Sequence, residues 1–380
     1  MKMPKPKLFF VVNVDWFFLS HRLVVALAAQ QNGYDVTVVV GNSGRIHEIA
    51  DAGLHYIEMP VSRSGTNVLK ELFALCFLIW LYIKEKPNIV HHVTPKIVAY
   101  GSVAARLTRT KAINAISGLG TVFSEDSAHG LFRKIVLLLF RFGLKDRKQK
   151  VIFQNTDDKQ LFIDRKIIQS QQAILIIGSG VDLKKFCFLP KLTQKKIIIT
   201  LPARMLYDKG VVEFVEMARL LKQQDFQMTI KYWLVGGTDQ ASAKGISQSQ
   251  LESWNNEGIV FWHGYQEDMV NILGQTDIVV FPSYREGLPK SLIEACAVGR
   301  PIVCFDVVGC REVVQQNKNG YLVPFKDIEA LVSKVKALID NELLRMEMGK
   351  ESRKIAEQKF SIMKVVQLHI ELYKNMLSND

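Results

Sequence analysis

The chain has 380 residues, 48% of them apolar and 23% charged, an ordinary globular mixture long enough for two domains, which excludes disordered and fibrous architectures. Its formal net charge of +12 is unevenly placed: up to Pro190 there are 25 Lys and Arg against 14 Asp and Glu, and beyond it 24 against 23, so an acidic partner would meet the N-terminal half. The five cysteines form no C-x-x-C pair and lie in no run with ligand-spaced histidines, which indicates neither a disulfide framework nor a structural zinc site and fits a reducing cytoplasm.

Residues 1–7 are basic, but the apolar stretch after them is broken by Asn13 and Asp15 with no small-residue cleavage site beyond, so it reads as a first strand and not a signal peptide. Short β-branched or aromatic runs then alternate with longer amphipathic ones, which argues for βα repetition around parallel sheets. Strands are predicted at 8–12, 36–40, 55–59, 89–92, 112–116, 151–153 and 173–177, with helices at 21–32, 46–52, 67–86, 96–108, 130–144 and 156–163. The most apolar window, 72–83, is too short for a bilayer core that needs roughly 20 residues. A glycine-rich turn at Gly178 and Gly180 and a polar segment containing Pro190 place a join in 178–196. The pattern restarts with strands at 197–201, 229–235, 259–262, 277–281 and 302–305, helices near 211–223, 247–255, 266–274 and 289–298, and a closing amphipathic helix at 362–377. The expected class is α/β: two doubly wound Rossmann-like domains, 1–182 and 197–360, a linker at 183–196, and a terminal helix, 361–380, that returns to the first domain. Ligands of open α/β sheets sit beyond the carboxyl ends of the strands, so the strand-to-helix loops, facing a central cleft, are where chemistry is expected.

Residues 277–306 carry the strongest signal. Pro289 suits a first helical turn, Gly299 the left-handed stop, and Pro301 prevents continuation. Backbone N–H groups around Leu288, Pro289, Lys290 and Ser291 would thus form a helix N-terminus that binds phosphate, with the Lys290 charge beside it. Glu286 stands just before this helix and Glu294 one to two turns inside it. A carboxylate is poor company for phosphate but accepts paired hydrogen bonds from the vicinal hydroxyls of a ribose or hexose, so the arrangement asks for a nucleotide sugar. Spacing alone equally allows a solvated loop charge and a surface helix residue.

The run from Glu286 through Gly287, Leu288, Pro289, Lys290 and Ser291 to Glu294 resembles the E-x7-E signature of the retaining family 4 glycosyltransferases, which have the GT-B fold. Ser283 and the preceding DIVVFPS also match, and the resemblance covers essentially the whole chain. It implies that Glu286 contacts the donor sugar on its reactive face, that Glu294 holds the ribose, and that the residues between give backbone donors to the diphosphate. A second loop, from Pro202 through Arg204 and Lys209 to Gly210, offers the cations a departing diphosphate needs, or is a solvated basic loop; it resembles the family's R-x4-K-G element, which grips the donor pyrophosphate. Gly236, Gly237 and Gly264 fall where family members bring backbone close to the nucleotide.

The N-terminal domain is left with the acceptor. Many relatives have a glycine-rich turn after the first strand, where this chain has Asn13 to Arg22. Ser20 is expected to cap the next helix, with His21 and Arg22 at the cleft entrance, or with His21 only a first-turn surface residue. Of His91 and His92, one is expected to face the cleft and the other a helix layer. Gly118 and Gly120 stand where many relatives have a histidine. That departure resembles a subgroup adding N-acetylhexosamines or related sugars to lipid-linked saccharides for O-antigen, capsule or glycoprotein oligosaccharides. Both glycines would admit a sugar, or close a tight turn.

Residues 131–150 hold Arg133, Lys134, Arg141, Lys145, Arg147, Lys148 and Lys150 against Asp146, wrapped round an apolar stripe. Such a helix lies in an anionic membrane interface, and 72–83 either helps it or is a core helix. The expectation is a peripheral enzyme on the inner face of the cell membrane that moves a hexose or N-acetylhexosamine from a UDP-sugar to a polyprenyl-diphosphate-linked saccharide. Nucleic acid is not expected, because no aromatic-and-basic interleaving or helix-turn-helix pattern occurs. Neither a cofactor nor a metal is expected, with Arg204 and Lys209 in the metal's usual role and no D-x-D motif. A catalytically silent nucleotide-binding subunit and a sugar-nucleotide epimerase on the same fold are the alternatives.

Overall fold

The computed structural model describes residues 4–61, 68–119, 130–190, 196–239 and 242–378, without the side chains of 68, 69 and 130–133. It forms two compact units, Met1–Ser179 with Met363–Asp380, and Gly180–Ile362.

The first unit runs β1 (Lys7–Val12), α1 (Asp15–His21), α2 (Leu23–Gln31), β2 (Asp35–Val40), α3 (His47–Asp51), β3 (His55–Glu58), α4 (Val68–Glu85), β4 (Ile89–Val93), α5 (Pro95–Thr108), β5 (Lys111–Ile116), α6 (Gly130–Gly143), β6 (Lys150–Phe153), α7 (Thr156–Asp164) and β7 (Ala173–Leu175). Its seven strands pair in parallel in the order β3-β2-β1-β4-β5-β6-β7. Strands covered by helices on both faces read as unbroken apolar runs, and β1 shows why. Leu8, Phe10 and Val12 enter one core with Val25 and Ala29 of α2. Phe9 and Val11 enter another with Leu78 and Tyr82 of α4 and Ile97 of α5.

The predicted helix 21–32 is two helices. Asp15 starts α1 early because its buried carboxylate accepts the backbone N–H groups of Trp16, Ser43 and Arg45 at 2.7, 2.8 and 2.9 Å and the Ser43 hydroxyl. These bonds tie the loop after β1 to the loop after β2. Burial alone would raise the Asp15 carboxyl, and the hydrogen bonds reverse it to a net lowering.

The second unit runs β8 (Lys196–Pro202), α8 (Val211–Lys222), β9 (Thr229–Val235), α9 (Gln248–Asn256), β10 (Phe261–Trp262), α10 (Met269–Gln275), β11 (Ile278–Phe281), α11 (Lys290–Val298), β12 (Ile302–Phe305), α12 (Cys310–Val313), β13 (Gly320–Val323), α13 (Ile328–Asp340) and α14 (Glu342–Ile355). Its parallel sheet has the order β10-β9-β8-β11-β12-β13. Strand β13 and helices α12, α13 and α14 were not predicted. The strand depends on one close approach: a Cβ on Gly320 would lie 1.9 Å from the Ile302 carbonyl oxygen, so only glycine lets it pair there. Residues 183–190, read as linker, pack on this unit: Leu189 N–H donates to Val298 O at 3.2 Å and Arg353 Nη1 to Phe186 O at 2.9 Å.

The last helix, α15 (Ile362–Ser378), belongs to the first unit apart from its initial residue. Val365, Ile370, Tyr373 and Met376 join the core of Phe10 and Val36, and Lys111 Nζ donates to Met376 O at 2.8 Å.

Candidate active site

In each sheet the strand order reverses beside the first strand, between β1 and β4 and between β8 and β11, which is where open α/β sheets bind ligands. In the second unit the loops after β8 and β11 are pressed together. Gly210, at φ +72°, leaves no room for a Cβ, which would sit 1.9 Å from the Pro282 carbonyl oxygen. Tyr284 N–H donates to Asp208 O at 3.0 Å. Across this contact Lys209 Nζ meets Glu286 Oε1 at 2.5 Å, and the buried Ser283 hydroxyl donates to the same oxygen at 2.6 Å. Two side chains thus converge on one oxygen of Glu286, and those of Lys209 and Glu286 are only 18% and 12% exposed, so little water screens them.

The loop after β12 supports Glu286 from behind. Glu286 N–H donates to Val308 O at 3.1 Å. Gly309, at φ +84°, would place a Cβ 2.8 Å from the carbonyl oxygens of both Glu286 and Gly287. Sequence reading passed over Gly309; a glycine one turn after a buried strand was its only signal. Tyr284, next to Ser283, donates its O–H to Glu213 Oε1 at 2.5 Å, and burial first, then that bond, pushes its phenol up.

Helix α11 begins at Lys290 with Pro289, which has no side-chain hydrogen-bonding group, as its N-cap. Gly299 ends it at φ +82°, as expected of a left-handed stop. Glu294 lies inside, 8% exposed. Burial pushes its carboxyl up, while Lys290, 3.7 Å away, and Lys185 pull the other way. Arg204 does not join the Glu286 cluster: its Nη1 donates to Asp239 Oδ2 at 2.7 Å. Gly236, at φ +153°, is demanded by the fold, because a Cβ would fall 1.8 Å from the Ala203 carbonyl oxygen. Its N–H donates to Gly264 O at 2.8 Å and its carbonyl accepts Trp262 Nε1–H at 2.9 Å. A small concavity lined by Phe188, Asp277, Arg300 and Arg345 lies at the amino ends of the strands, away from these loops.

The sequence matches two family models, "Glycosyl transferases group 1" over residues 174–355 and "Glycosyl transferase 4-like" over 7–155. The chain is a glycosyltransferase. It is 29% identical to an N,N'-diacetylbacillosaminyl-diphospho-undecaprenol alpha-1,3-N-acetylgalactosaminyltransferase of Campylobacter jejuni, over 95% of this chain and 99% of that one. It is 24% identical to a UDP-Gal:alpha-D-GlcNAc-diphosphoundecaprenol alpha-1,3-galactosyltransferase of Escherichia coli, over 91% and 90%. The fold is shared with a glycosyltransferase from Rickettsia africae, at TM-score 0.77 and 20% identity over 99% of this chain and 100% of that one. This glycosyltransferase therefore has the GT-B pair of Rossmann-like units.

In the first unit of the glycosyltransferase several expectations are corrected. Ser20 is not the N-cap of the next helix, which is Arg22; it lies in the last turn of α1, its hydroxyl donating to Trp16 O at 2.8 Å and touching His21 Nδ1 at 2.6 Å. His21 stacks on Phe17, with ring centroids 4.1 Å apart and planes 4° from parallel. Arg22 stands at no entrance: it is buried, and loss of hydration lowers its guanidinium to about 10. Neither adjacent histidine of β4 faces a cleft, since both faces of the strand are covered by helices. His92 bonds the Tyr82 hydroxyl at 2.8 Å and Asn114 Oδ1 at 2.7 Å on the α4 side. His91 bonds the Tyr373 hydroxyl at 2.7 Å and stacks on His369 on the α15 side. Gly118 has φ +130° at the carboxyl end of β5, and Gly120 lies outside the described residues. Thr94 takes φ +80° after β4, with its hydroxyl 3.3 Å from Asn13 Oδ1. That is a costly conformation for a β-branched residue, at the reversal point of this sheet.

Helices α4 and α6 flank α5 on one side of the glycosyltransferase's first unit. Helix α6 buries Val136 and Phe140 but leaves Ile135, Leu138 and Phe142 exposed, and Arg106 lies over the Phe142 ring at 4.3 Å. Helix α4 is not simply a core helix, since Phe73, Trp80 and Ile83 are each more than half exposed. The side chain of Arg133 lies outside the described residues. Among the described residues no helix is long and apolar enough to cross a membrane.

Proposed function

We propose that this glycosyltransferase moves a hexose or N-acetylhexosamine from a UDP-sugar, with retention, to a hydroxyl of a polyprenyl-diphosphate-linked saccharide at the inner face of the cell membrane. The observation that carries the reading is the convergence of Lys209 and Ser283 on one oxygen of Glu286, beside the N-terminus of α11, whose N-cap is Pro289. A carboxylate held by a cation and a hydroxyl suits a polar sugar face. A helix terminus with adjoining cations suits a diphosphate.

In the reaction the bond between the sugar's anomeric carbon and the diphosphate oxygen breaks. The acceptor oxygen bonds that carbon from the same face and its proton passes to the departing diphosphate. Arg204, Lys209 and the N–H groups at the start of α11 spread the charge that develops on UDP, so leaving-group stabilisation and positioning supply most of the rate. Glu286 steadies the positive character of the sugar ring, and Glu294 accepts hydrogen bonds from the ribose. Arg204 and Lys209 do the work a divalent metal does elsewhere, and the reading predicts transfer in chelator.

The donor and acceptor follow the two relatives, which are named for acting on undecaprenyl-diphosphate saccharides, one of them with UDP-galactose. Membrane attachment is supported by the exposed apolar residues of α4 and α6 set among Lys134, Arg141, Lys145, Arg147 and Lys148. The purified protein is to be incubated with detergent-solubilised polyprenyl-diphosphate saccharides and a panel of UDP-sugars, with and without chelator, following UDP release and lipid-product mass. A mass increment with one donor, absent in Glu286→Ala, supports the reading; UDP binding without product from any acceptor favours a silent subunit, and loss of product in chelator refutes the metal-free mechanism.

A further inference from the structure

The loop that carries Arg204 and Lys209 is zipped to the residues flanking the turn after β9. Met205 N–H donates to Gly237 O at 3.0 Å, Ile246 N–H to Met205 O at 3.0 Å and Tyr207 N–H to Lys244 O at 2.9 Å. Isolated β-bridges pair Met205 with Thr238 and Leu206 with Gly245. Two ion pairs follow the same seam, Arg204 with Asp239 at 2.7 Å and Lys244 with Asp208 at 3.2 Å.

The partners of the first pair differ in freedom. The Asp239 side chain is only 10% exposed, against 47% for Arg204. The Asp239 backbone is fixed as well: its carbonyl accepts Ser242 N–H at 3.0 Å, and a Cβ on Gly245 would come within 2.5 Å of it. A planar guanidinium has five donors in a rigid fork, so giving Nη1 to a fixed carboxylate sets the plane and direction of the rest without using them up.

We propose that Asp239 is a positioning residue that aims Arg204 at the diphosphate of the sugar donor, with residues 237–239 and 242–246 as the frame for the cationic loop. The inference rests on reading Arg204 as part of the diphosphate grip. It assigns a specific duty to a carboxylate that would otherwise be an odd neighbour for a diphosphate site.

The test is a double-mutant cycle over Asp239→Asn and Arg204→Ala, reading the UDP dissociation constant by calorimetry and donor kcat/KM, with thermal unfolding as a fold control. Asn keeps the shape and one acceptor oxygen but removes the charge. Asp239→Asn is expected to weaken UDP and lower kcat/KM on the order of tenfold, within the range of couplings between contacting residues. Arg204→Ala loses at least as much, and the double variant loses no more than Arg204→Ala. A structural role for Asp239 would reduce both readouts by the same factor in either background, and that result overturns the proposal. So does tighter UDP binding by Asp239→Asn, which would make Asp239 a plug in the diphosphate's place. If Arg204→Ala binds UDP as the parent does, the diphosphate reading itself fails, and Asp239 has nothing to aim.

Discussion

Acidification should loosen the first unit through histidines buried beneath α4 and α15. His92 and His369 are fully enclosed, and loss of hydration lowers their pKa values to about 4 and about 3; His91 is driven down for the same reason, with His369, Arg22 and His92 adding repulsion. The groups facing His91 and His369 are Arg22, Tyr373 and each other, while His92 meets Tyr82 and Asn114. No carboxylate is among them to welcome a proton. The unfolded chain binds protons at ordinary histidine values near 6.5, so stability is fully present above that pH and falls as pH drops toward the folded values. Between pH 6.5 and 5, at about 1.4 kcal/mol per pH unit, His92 and His369 each cost about 2 kcal/mol. Urea unfolding at pH 7.5, 6.5 and 5, followed by fluorescence, measures this. His369→Leu removes one titration and should lose about 2 kcal/mol less than the parent over that interval. Equal pH slopes for parent and variant would refute the reasoning, whatever the variant's stability at neutral pH.

Further outcomes are expected at the site and on the surface. Gly309→Ala forces a Cβ into the Glu286 and Gly287 carbonyls and should cut donor turnover at least tenfold, read as kcat/KM, through displaced Glu286 rather than lost binding groups. Glu294→Gln keeps the shape but weakens the acceptor, and should raise donor KM roughly tenfold with kcat nearly unchanged, since hydrogen bonds to a charged group contribute about 1.5–3 kcal/mol; an equal fall in kcat would place Glu294 at the reacting bond instead. Leu138→Asp, at a position 63% exposed, should leave thermal unfolding unaltered yet abolish sedimentation with anionic vesicles, because a charge cannot follow the apolar stripe into the interface. Persistent sedimentation would remove α6 from the proposed membrane face.

Most of the architecture was legible because buried parallel strands announce themselves as continuous apolar runs, and because proline and glycine marked both ends of α11. The early start of α1 was not, since it follows from Asp15 bonding residues 28 and 30 positions away. The histidines were misplaced for a similar reason. Period-two alternation rightly sends His91 and His92 to opposite faces, but which faces are covered depends on α15, and the Tyr373 partner of His91 is 282 residues distant. At the site, Lys209 was readable from its type and loop and Glu286 and Ser283 from the resemblance of their segment, whereas Asp239, paired with Arg204, and Gly309, pressed against the Glu286 carbonyl, carry no motif of their own.

The return of α15 to the first unit makes the second unit an insertion between two parts of one fold. Residues 180–362 are contiguous and hold their whole sheet, so they can complete themselves as soon as they are synthesised. One core of the first unit has to wait: until Val365, Tyr373 and Met376 are made, the apolar face bearing Phe10, Tyr34 and Val36 has only part of its cover. The core beneath α15 therefore closes last although most of its residues are made first, and a truncation just before α15 strikes the half that was translated first.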